Sequence, residues 1–491
     1  MIDFDNSYIK LPESFYQKVD PTKVIKPSLV KFNSILAADL GIKDFDEKEL
    51  AKIFSGNKLL DGSEPIAQAY AGHQFGNFVP QLGDGRAILL GEVIDTHGNR
   101  KDIQLKGAGQ TKFSRSGDGR AWLGPVLREY IVSEAMHALG IASTRALAAV
   151  LTGDDIYRET ALPGAIFTRV ASSHIRVGTF EYFFAKKDTE SVKILADYVI
   201  DRHYPNAKES ENKYQALLEA VSDKQAQLIC DWMSVGFIHG VMNTDNTSIF
   251  GETIDYGPCA FMDFYDPATV FSSIDHQARY AYQNQASICQ WNLSCFANTL
   301  LPLIDEDQEK AIEICSKTLS EFKDNFSQKL TAKFLSKIGL TKKNEADADY
   351  VHELLGLMDK YKADFTLSFR YLSGLLDKDF DMTEFFHLFD YQDHSKAELE
   401  AWIVDWKKRL DDEDKSLAEV IQAMNKVNPA FIPRNHRVEQ AIEEAYKNSD
   451  FSFFEKLVLV LSSPFEDQAE NKEYMFPPED KFQGYVTFCG T

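Results

Sequence analysis

The chain contains no apolar run long enough to cross a membrane. Apolar stretches such as 147–151 and 457–461 have the length of core segments, whereas a membrane-spanning helix needs roughly 18 to 20 apolar residues. The first residues are acidic and show neither the basic start of a signal peptide nor the Arg-rich pattern of a transit peptide. We therefore expect a cytoplasmic protein that has no membrane partner.

Cysteine is scarce and scattered along the sequence. The six cysteines lie at positions 230, 259, 289, 295, 315 and 489. Their spacing matches neither a dense disulfide framework nor the paired pattern of a zinc site. Reduced thiols are the expected state of these cysteines.

Basic residues are fewer than acidic residues in this chain. The chain has 53 Lys and Arg against 75 Asp and Glu, a formal net charge of -22. A nucleic-acid binder needs a clustered basic face, so this balance argues against nucleic acid as a partner. A small basic pocket for one nucleotide stays compatible with it. The apolar fraction of 44% and the charged fraction of 26% are typical of a globular protein, and the length allows more than one core.

Local patterns predict two strands followed by a largely helical chain. The strands, 86–94 and 102–105, are expected on either side of a turn at 95–99. A loop of small and polar residues then leads to a helix over 125–138, for which Pro125 is a suitable first residue. Further helices are predicted over 29–40, 213–236, 306–336, 395–425 and 436–447.

A first group of polar residues surrounds the two predicted strands. Gly83 and Gly85 precede the first strand, and Lys106 ends the second. Glycines between strands let backbone N–H groups approach phosphate oxygens, and a Lys at a strand end can pair with phosphates. Glu129 or Glu134 on the following helix could hold that Lys. Taken alone, the pattern more often indicates a Gly-containing hairpin with a surface Lys.

A second group lies farther along the chain. His239 and Asn246 have the spacing of the His-x-Asp-x-x-x-x-Asn loop of kinase-like enzymes, and Asp255-Tyr-Gly follows where those enzymes carry a metal-binding Asp. Val241 occupies the position of the usual catalytic Asp and cannot accept a proton. Asp245 is the nearest carboxylate. The alternative is an acidic turn whose side chains bond to backbone donors, but the two groups in this order favour a nucleotide site.

Two arginines, Arg169 and Arg176, add charge that does not titrate. The planar guanidinium group presents fixed donors that suit phosphate. In an acidic protein, two such residues alone are more often surface ion pairs. His73 and His174 are interpreted as structural, and neither is given a catalytic role.

In these motifs the chain resembles the selenoprotein O family, also called YdiU, of kinase-fold protein adenylyltransferases. The resemblance covers nearly the whole chain and is densest from 70 to 300. The matching stretches are Tyr70–Gly76, Gln81–Ala87, Gln104–Gly109, Ser114–Ala121, Arg128–Tyr130, Ser133–Gly140, His239–Asn246, Ile254–Pro258 and, near the C-terminus, Asn428-Pro, Arg434-Asn and Pro464-Phe.

The resemblance implies an enzyme that uses ATP with Mg²⁺ or Mn²⁺. ATP is bound in the reverse direction relative to ordinary kinases, so that AMP passes to Ser, Thr or Tyr of a protein substrate and pyrophosphate leaves. Bacterial relatives also imply UMP transfer from UTP with manganese. The resemblance makes Asp245 the proton acceptor and Asn246 and Asp255 the metal ligands, and it pairs Lys106 with Glu129. It assigns nucleotide contacts to Gly83, Gly85, Arg86, Lys106, Asp118, Gly119, Arg169, Arg176 and Asp255.

The fold that the resemblance implies is of the α+β class, with two lobes arranged as in protein kinases. We expect an N-terminal extension over 1–75, an N-lobe with nucleotide-binding loops over 76–190, and a mostly helical C-lobe over 191–400. The catalytic and metal loop, 239–257, belongs to the C-lobe. A C-terminal helical region and tail completes the chain over 401–491. We expect a monomer.

The C-terminus departs from the family pattern. Animal members carry a selenocysteine close to the C-terminus, where this chain has Cys489. Some bacterial relatives pair their C-terminal Cys with another in the loop after Asp-Tyr-Gly, where this sequence reads Val-Phe-Ser-Ser at 270–273. We therefore do not expect a regulatory disulfide, and Cys259, the nearest alternative partner, is not expected to form one.

Two other functions stay open at the level of sequence. A conventional phosphotransferase would release ADP instead of pyrophosphate. A pseudokinase scaffold, suggested by Val241, would bind a nucleotide without reacting it. Lys106, Asn246 and Asp255 argue against the scaffold, because a scaffold has no need of metal ligands.

Overall fold

The computed structural model describes residues 2–43, 45–391, 395–479, 485 and 487. Strands dominate the first third of the chain and helices the remainder, which confirms the α+β class. The strands are β1 Tyr16–Lys18, β2 Ser28–Phe32, β3 Ile66–Gln68, β4 Gly72–Gln74, β5 Asn77–Val79, β6 Ala87–Ile94, β7 Arg100–Lys106, β8 Ala121–Trp122, β9 Arg145–Tyr157, β10 Ala161–Ala171, β11 Phe237–Ile238 and β12 Ala260–Phe261.

The α-helices follow the same chain order. They are α1 Ser34–Asp39, α2 Glu47–Phe54, α3 Leu123–Ala138, α4 Val177–Phe184, α5 Thr189–His203, α6 Lys213–Ser234, α7 Gln285–Ile304, α8 Gln308–Lys337, α9 Asp347–Lys360, α10 Phe365–Leu372, α11 Met382–Phe386, α12 Ala397–Asp411, α13 Leu417–Val427, α14 Asn435–Asn448 and α15 Ser452–Leu461. No helix in the described part of the chain is long and apolar enough to span a membrane.

One antiparallel sheet organises the N-terminal half. Its strand order is β1-β3-β6-β7-β10-β9-β2, and β8 pairs with β10. The predicted turn between β6 and β7 is confirmed: Asp95 Oδ1 accepts the N–H groups of His97 and Asn99, an arrangement that stabilises a tight turn. Because β7 lies between β6 and β10, Lys106 at its end stands beside Phe167 and Ala87.

The sheet is covered on both faces. One face packs against α1 and α2, and the other against α3. Side chains of β9 enter both layers: Leu147 and Val150 lie in one core, Ala146 and Ala149 in the other. The strict alternation of a strand is interrupted at Leu147, where the pairing with β10 shifts register between Ala146 and Ala148. Helices α14 and α15 pack on α3, so the C-terminal region contacts the helix that carries Glu129.

Two predicted helices differ from the structure. Over 29–40, the first part is the strand β2, and only α1 is helical. Tertiary pairing decides this: β2 completes the edge of the sheet against β9, and pairing of this kind overrides weak local propensity. The helix predicted over 395–425 is broken into α12 and α13, because Ser416 and Glu419 form a capping box that begins a new helix.

Residues before position 75 supply β1, β2 and β3 to the same sheet as β6 and β7. The segment assigned to an N-terminal extension is therefore part of the sheet in this structure. The division into four parts remains a prediction. Cys489 lies outside the described residues.

Candidate active site

A cavity of about 1010 Å³ opens between the sheet and the segment that follows β11. Its walls are the loop before β6, the loop before β8, the ends of β7 and β10, and the turn around Asp245. Eleven of the residues predicted for the site line this one cavity: Gly83, Gly85, Arg86, Lys106, Asp118, Gly119, Arg169, Arg176, Asp245, Asn246 and Asp255.

Lys106 is held at the inner end of the cavity by a buried ion pair. Its Nζ lies 2.6 Å from Glu129 Oε2, and Glu129 projects from α3, which packs against β9 and β10 of the sheet. Glu134, the other candidate on α3, instead binds the guanidinium of Arg145, with its two oxygens 2.8 and 2.9 Å from the Arg nitrogens. The structure therefore decides between the two carboxylates in favour of Glu129.

The carboxylate of Asp255 contacts three cationic side chains. It lies 2.8 Å from Lys106 Nζ, 2.6 Å from Arg169 Nη1 and 3.1 Å from Arg176 Nη1. Burial alone would raise the pKa of Asp255, but Arg169, Lys106 and Arg176 together hold that pKa well below its usual value. Asp255 also has a left-handed backbone, with φ of 60°. Such a conformation is costly for a residue with a side chain and is often found at functional sites.

Arg169 and Arg176 are buried, with 2% and 1% of their surface exposed. They are therefore not the surface ion pairs considered above. The guanidinium of Arg176 lies 4.4 Å from the centre of the Tyr70 ring, and its Nη1 donates to the backbone oxygen of Asp245 over 3.0 Å. Its Nη2 has no hydrogen-bond partner among the described residues. A buried donor without a partner costs free energy, unless a ligand accepts from it.

Asp245 and Asn246 share a short turn that faces these cations. Gln74 Nε2 lies 3.3 Å from Asp245 Oδ2, whereas Oδ1 has no partner within the described segments. Burial raises the pKa of Asp245 to about 6, against the opposing effects of Gln74 and Arg176. The amide nitrogen of Asn246 donates to Val241 O over 2.9 Å, which leaves the amide oxygen as the group that can bind a cation.

The donor set fits a hard divalent cation. Asp255 offers carboxylate oxygens and Asn246 an amide oxygen, and the carboxylate-bearing Asp245 lines the same cavity. Mg²⁺ and Mn²⁺ prefer oxygen ligands of these kinds. The residues present therefore fit the expected metal.

Comparison with known proteins identifies the family. A family model described as "Protein adenylyltransferase SelO" matches residues 1–462. The chain belongs to the SelO family of protein adenylyltransferases.

Relatives of this SelO-family chain match it from end to end. A protein nucleotidyltransferase YdiU from Rhizobium rhizogenes is 58% identical over 491 residues, covering 100% of this chain and 97% of the relative. Proteins with the same name from Agrobacterium fabrum and Maridesulfovibrio salexigens are each 55% identical over 493 residues, and they cover 100% of this chain and 100% and 99% of their own lengths.

Close packing explains why the loop before β6 has glycine at two positions, and this packing could not be seen from the sequence. A Cβ on Gly83 would lie 2.3 Å from the Phe113 ring, and one on Gly85 would lie 2.9 Å from Phe113 O. The N–H groups of Asp84 and Gly85 already donate to Gln68 O and Gly83 O. Close packing against Phe113 thus explains the glycines at least as well as an approach to phosphate.

Asp118 and Gly119 stand at the mouth of the cavity. Asp118 pairs with Arg158 over 2.8 Å, and both side chains are partly exposed. Gly119 has φ of 70°, and a Cβ there would meet the backbone of Gly109 at 2.2 Å. The positive φ and the close backbone contact therefore require glycine at this position of the turn.

Sequence reasoning missed Asp84, which lies between the two glycines. Asp84 Oδ2 accepts from Gln104 Nε2 over 3.0 Å, and Gln104 Oε1 accepts from Arg169 Nε over 2.8 Å. Burial raises the pKa of Asp84 to about 6. This chain of contacts fixes the Arg169 guanidinium beside Asp255. No local sequence signal reveals these contacts, because the three residues come from three separate elements.

The structural interpretation of His174 agrees with its contacts. His174 is buried, and its Nδ1 lies 2.9 Å from Asp102 Oδ2. Burial lowers the pKa of His174 to about 4. His239, in contrast, links the two halves of the catalytic segment, since its Nε2 lies 2.9 Å from Ile254 O and its ring stacks on Trp232.

Proposed function

We propose that this chain transfers AMP from ATP to hydroxyl groups of protein substrates in the cavity described above, with release of pyrophosphate. The observation that carries this proposal is the burial of Arg169 and Arg176 beside Lys106 at the inner end of the cavity. Membership of the SelO family gives the reaction class. The positions of the cationic side chains support a particular orientation of ATP in the cavity.

The positions of the cations favour an ATP molecule whose terminal phosphates point inward. The β- and γ-phosphates carry most of the charge of ATP, and forked guanidinium groups bind phosphate by paired hydrogen bonds. Arg176 Nη2 supplies a donor that the described residues leave unused. With the terminal phosphates at Arg169 and Arg176, the α-phosphate lies toward Asp245, and the base lies toward Asp118 and Gly119 at the mouth.

Asp245 is the residue we assign to proton transfer. In its ionised form it accepts the proton of the substrate hydroxyl while the hydroxyl oxygen attacks the α-phosphorus. The bond from that phosphorus to the bridging oxygen breaks, and pyrophosphate leaves with the electron pair. Arg169, Arg176 and Lys106 stabilise the charge that develops on the leaving group.

Asn246 and Asp255 are the residues we assign to the metal, Mg²⁺ or Mn²⁺. When bound, the ion would neutralise phosphate charge beside the reacting centre. Asp255 now shares its oxygens with three cationic side chains, and phosphates are the partners to which those side chains would turn when ATP enters. UTP with manganese, and hence UMP transfer, is the alternative donor for the same site.

A kinase-like arrangement of two lobes is part of the same proposal. It is supported by the Lys106–Glu129 pair between strand and helix, and by the position of the Asp245–Asp255 segment opposite the sheet. These are the parts that kinase-like enzymes use to hold a nucleotide between lobes.

Labelled nucleotides test the proposal directly. The purified protein is incubated in parallel with ATP labelled at the α- and the γ-phosphate, together with a protein substrate and Mg²⁺ or Mn²⁺. We expect label in protein only from the α position, with pyrophosphate as product. Label from the γ position and ADP as product would establish a conventional phosphotransferase. Binding without transfer from either label, under conditions where a relative is active, would favour the scaffold.

A further inference from the structure

A second cluster of metal-binding side chains lies outside the nucleotide cavity. A ring nitrogen of His73, a carboxylate oxygen of Glu181 and Cys295 Sγ all lie within 4.8 Å of one another. They belong to β4, α4 and α7, so only the fold brings them together. None of the three is among the residues that line the nucleotide cavity.

We propose that His73, Glu181 and Cys295 form a zinc site, with water as the fourth ligand. A nitrogen, an oxygen and a sulfur donor suit Zn²⁺, whereas Mg²⁺ prefers oxygen alone. Tetrahedral zinc with such bonds separates its ligand atoms by roughly 3.5 Å. His73 Nδ1 and Glu181 Oε1 are 2.5 Å apart in a direct hydrogen bond. Zinc would replace that bond, so these two atoms would move apart by about 1 Å, which small side-chain rotations can provide.

The surroundings of the cluster already orient two of its ligands. Glu181 Oε2 accepts a hydrogen bond from Thr244 Oγ1 over 2.5 Å, which leaves Oε1 directed at His73 Nδ1. The edge of the Trp291 ring packs against His73, with the two ring centres 5.1 Å apart. Hydrogen bonds and packing of this kind fix metal ligands in place and increase metal affinity.

Access and charge also favour an ion at this position. The His73 side chain is 25% exposed, so water and metal can reach the cluster, while Glu181 is buried. Zinc with one thiolate and one carboxylate is neutral overall, and neutral groups are the least costly to bury.

The cluster is joined to the turn that carries Asp245. Thr244 Oγ1 accepts the backbone N–H of His73 over 2.7 Å, and the same hydroxyl donates to Glu181. Side chains alternate along β4, so that His73 faces the cluster while Gln74 contacts Asp245. Zinc would therefore hold the back of the active-site turn without contacting the nucleotide.

The test uses metal binding by the full-length protein and does not depend on activity. Protein freed of metal by chelation is titrated with Zn²⁺ in competition with a chromophoric chelator, with excess Mg²⁺ to occupy oxygen sites. Separately, Co²⁺ replaces Zn²⁺, because a cobalt–thiolate bond gives a charge-transfer band in the near ultraviolet. We expect one tightly bound ion per chain and a thiolate band in the unaltered protein.

Variants assign the site. Cys295→Ser is expected to abolish the cobalt–thiolate band and to weaken zinc at least tenfold, and His73→Gln to weaken it similarly. Cys315→Ser, at a buried cysteine of α8, is the matched control and should leave both unchanged. Absence of a thiolate band from the unaltered protein would overturn the proposal. So would zinc affinity in folded Cys295→Ser protein equal to that of the Cys315→Ser control, with folding of both variants checked by circular dichroism.

Discussion

Two aspartates of the active site, ten residues apart, have opposite electrostatic environments. Burial raises the pKa of Asp245 to about 6, whereas three cationic side chains hold the pKa of Asp255 well below its usual value. An environment that separates two carboxyl groups in this way commonly separates their roles. It suits Asp245 to the proposed proton transfer, and it keeps Asp255 ionised for its proposed part as a metal ligand.

Replacement of Asp245 tests this division. Asp245→Asn removes the proton acceptor with little change of volume, so we expect kcat to fall by about 10²-fold or more while the Kd for ATP changes by less than about threefold. Asp255→Ala is the contrasting variant, since it should abolish metal-dependent ATP binding. Transfer by rapid-quench kinetics and Kd by calorimetry give the two quantities. Equal losses of turnover and ATP affinity in Asp245→Asn would make Asp245 a nucleotide ligand.

The two buried arginines test the direction of ATP. Arg169→Ala or Arg176→Ala should weaken ATP by about tenfold or more and AMP far less, because AMP lacks the phosphates that these residues are proposed to hold. Arg158→Ala, at the mouth of the cavity, is the control and should affect ATP and AMP alike. Calorimetric titration with each nucleotide provides the comparison. Equal losses for ATP and AMP in the buried-arginine variants would refute the inward triphosphate.

Among single residues of the candidate site, the identity of the residues could be predicted better than their contacts. Lys106, Asp245 and Asp255 could be chosen from motif spacing, and the structure brings them to one cavity. The part played by Asp84 could not be found, because it depends on Gln104, which reaches Asp84 and Arg169 from a different strand. Contacts between elements leave no periodic trace in a sequence.

At the scale of elements, local signals decided which predictions succeeded. The β6–β7 hairpin and α3 were predicted because a turn with Asp and Gly and a Pro near a helix start are local features. The strand β2 was predicted as helix because its strand character comes from pairing with β9. The long β9–β10 hairpin could not be predicted locally, since the alanines of β9 are compatible with either helix or strand.

The end of α8 contains a charged residue whose burial should affect stability. Lys337 is 2% exposed and lies over the Phe369 ring at 4.5 Å, and no carboxylate forms a salt bridge with it in the described part of the chain. Burial, with a contribution from Lys333, lowers the pKa of Lys337 from 10.5 to about 7. Between pH 7 and 10.5 the unfolded state then binds more protons than the folded state, so this residue makes stability rise with pH.

Lys337→Met should therefore stabilise the protein, and most strongly at pH 7 and below, where the full penalty applies. The shift corresponds to an upper bound of roughly 5 kcal/mol, so we expect the midpoint of thermal unfolding to rise by several degrees at pH 6.5. The gain should shrink toward pH 10. Lys333→Met, at a partly exposed Lys paired with Asp231, is the control and should change little. Scanning fluorimetry across this pH range measures both, and a gain independent of pH would contradict the explanation.

The whole molecule is held together across regions that are far apart in sequence. Strands from before residue 75 complete the sheet, and α14 and α15 cover α3, whose Glu129 holds Lys106. Arg434, which begins this C-terminal segment, is fully buried and lies 2.8 Å from Asp263 and 2.9 Å from Asp364. Its Nε also donates to Met475 O over 2.8 Å. The Arg434 side chain thus joins the segment after β12, the N-terminus of α10 and the C-terminal region.

Removal of this link should destabilise the protein as a whole. Arg434→Ala leaves Asp263 and Asp364 without their cationic partner, and breaking a buried ion pair from one side costs about 3–5 kcal/mol. We expect a large drop in the thermal midpoint, together with near-normal ATP affinity below the transition, since Arg434 does not line the nucleotide cavity. Arg437→Ala is the control, because its contact with Glu473 is long and more exposed. Circular dichroism melts and calorimetry separate the two effects. If Arg434→Ala lowered the midpoint no more than Arg437→Ala, the C-terminal helices would be packed on the catalytic part independently of this buried network.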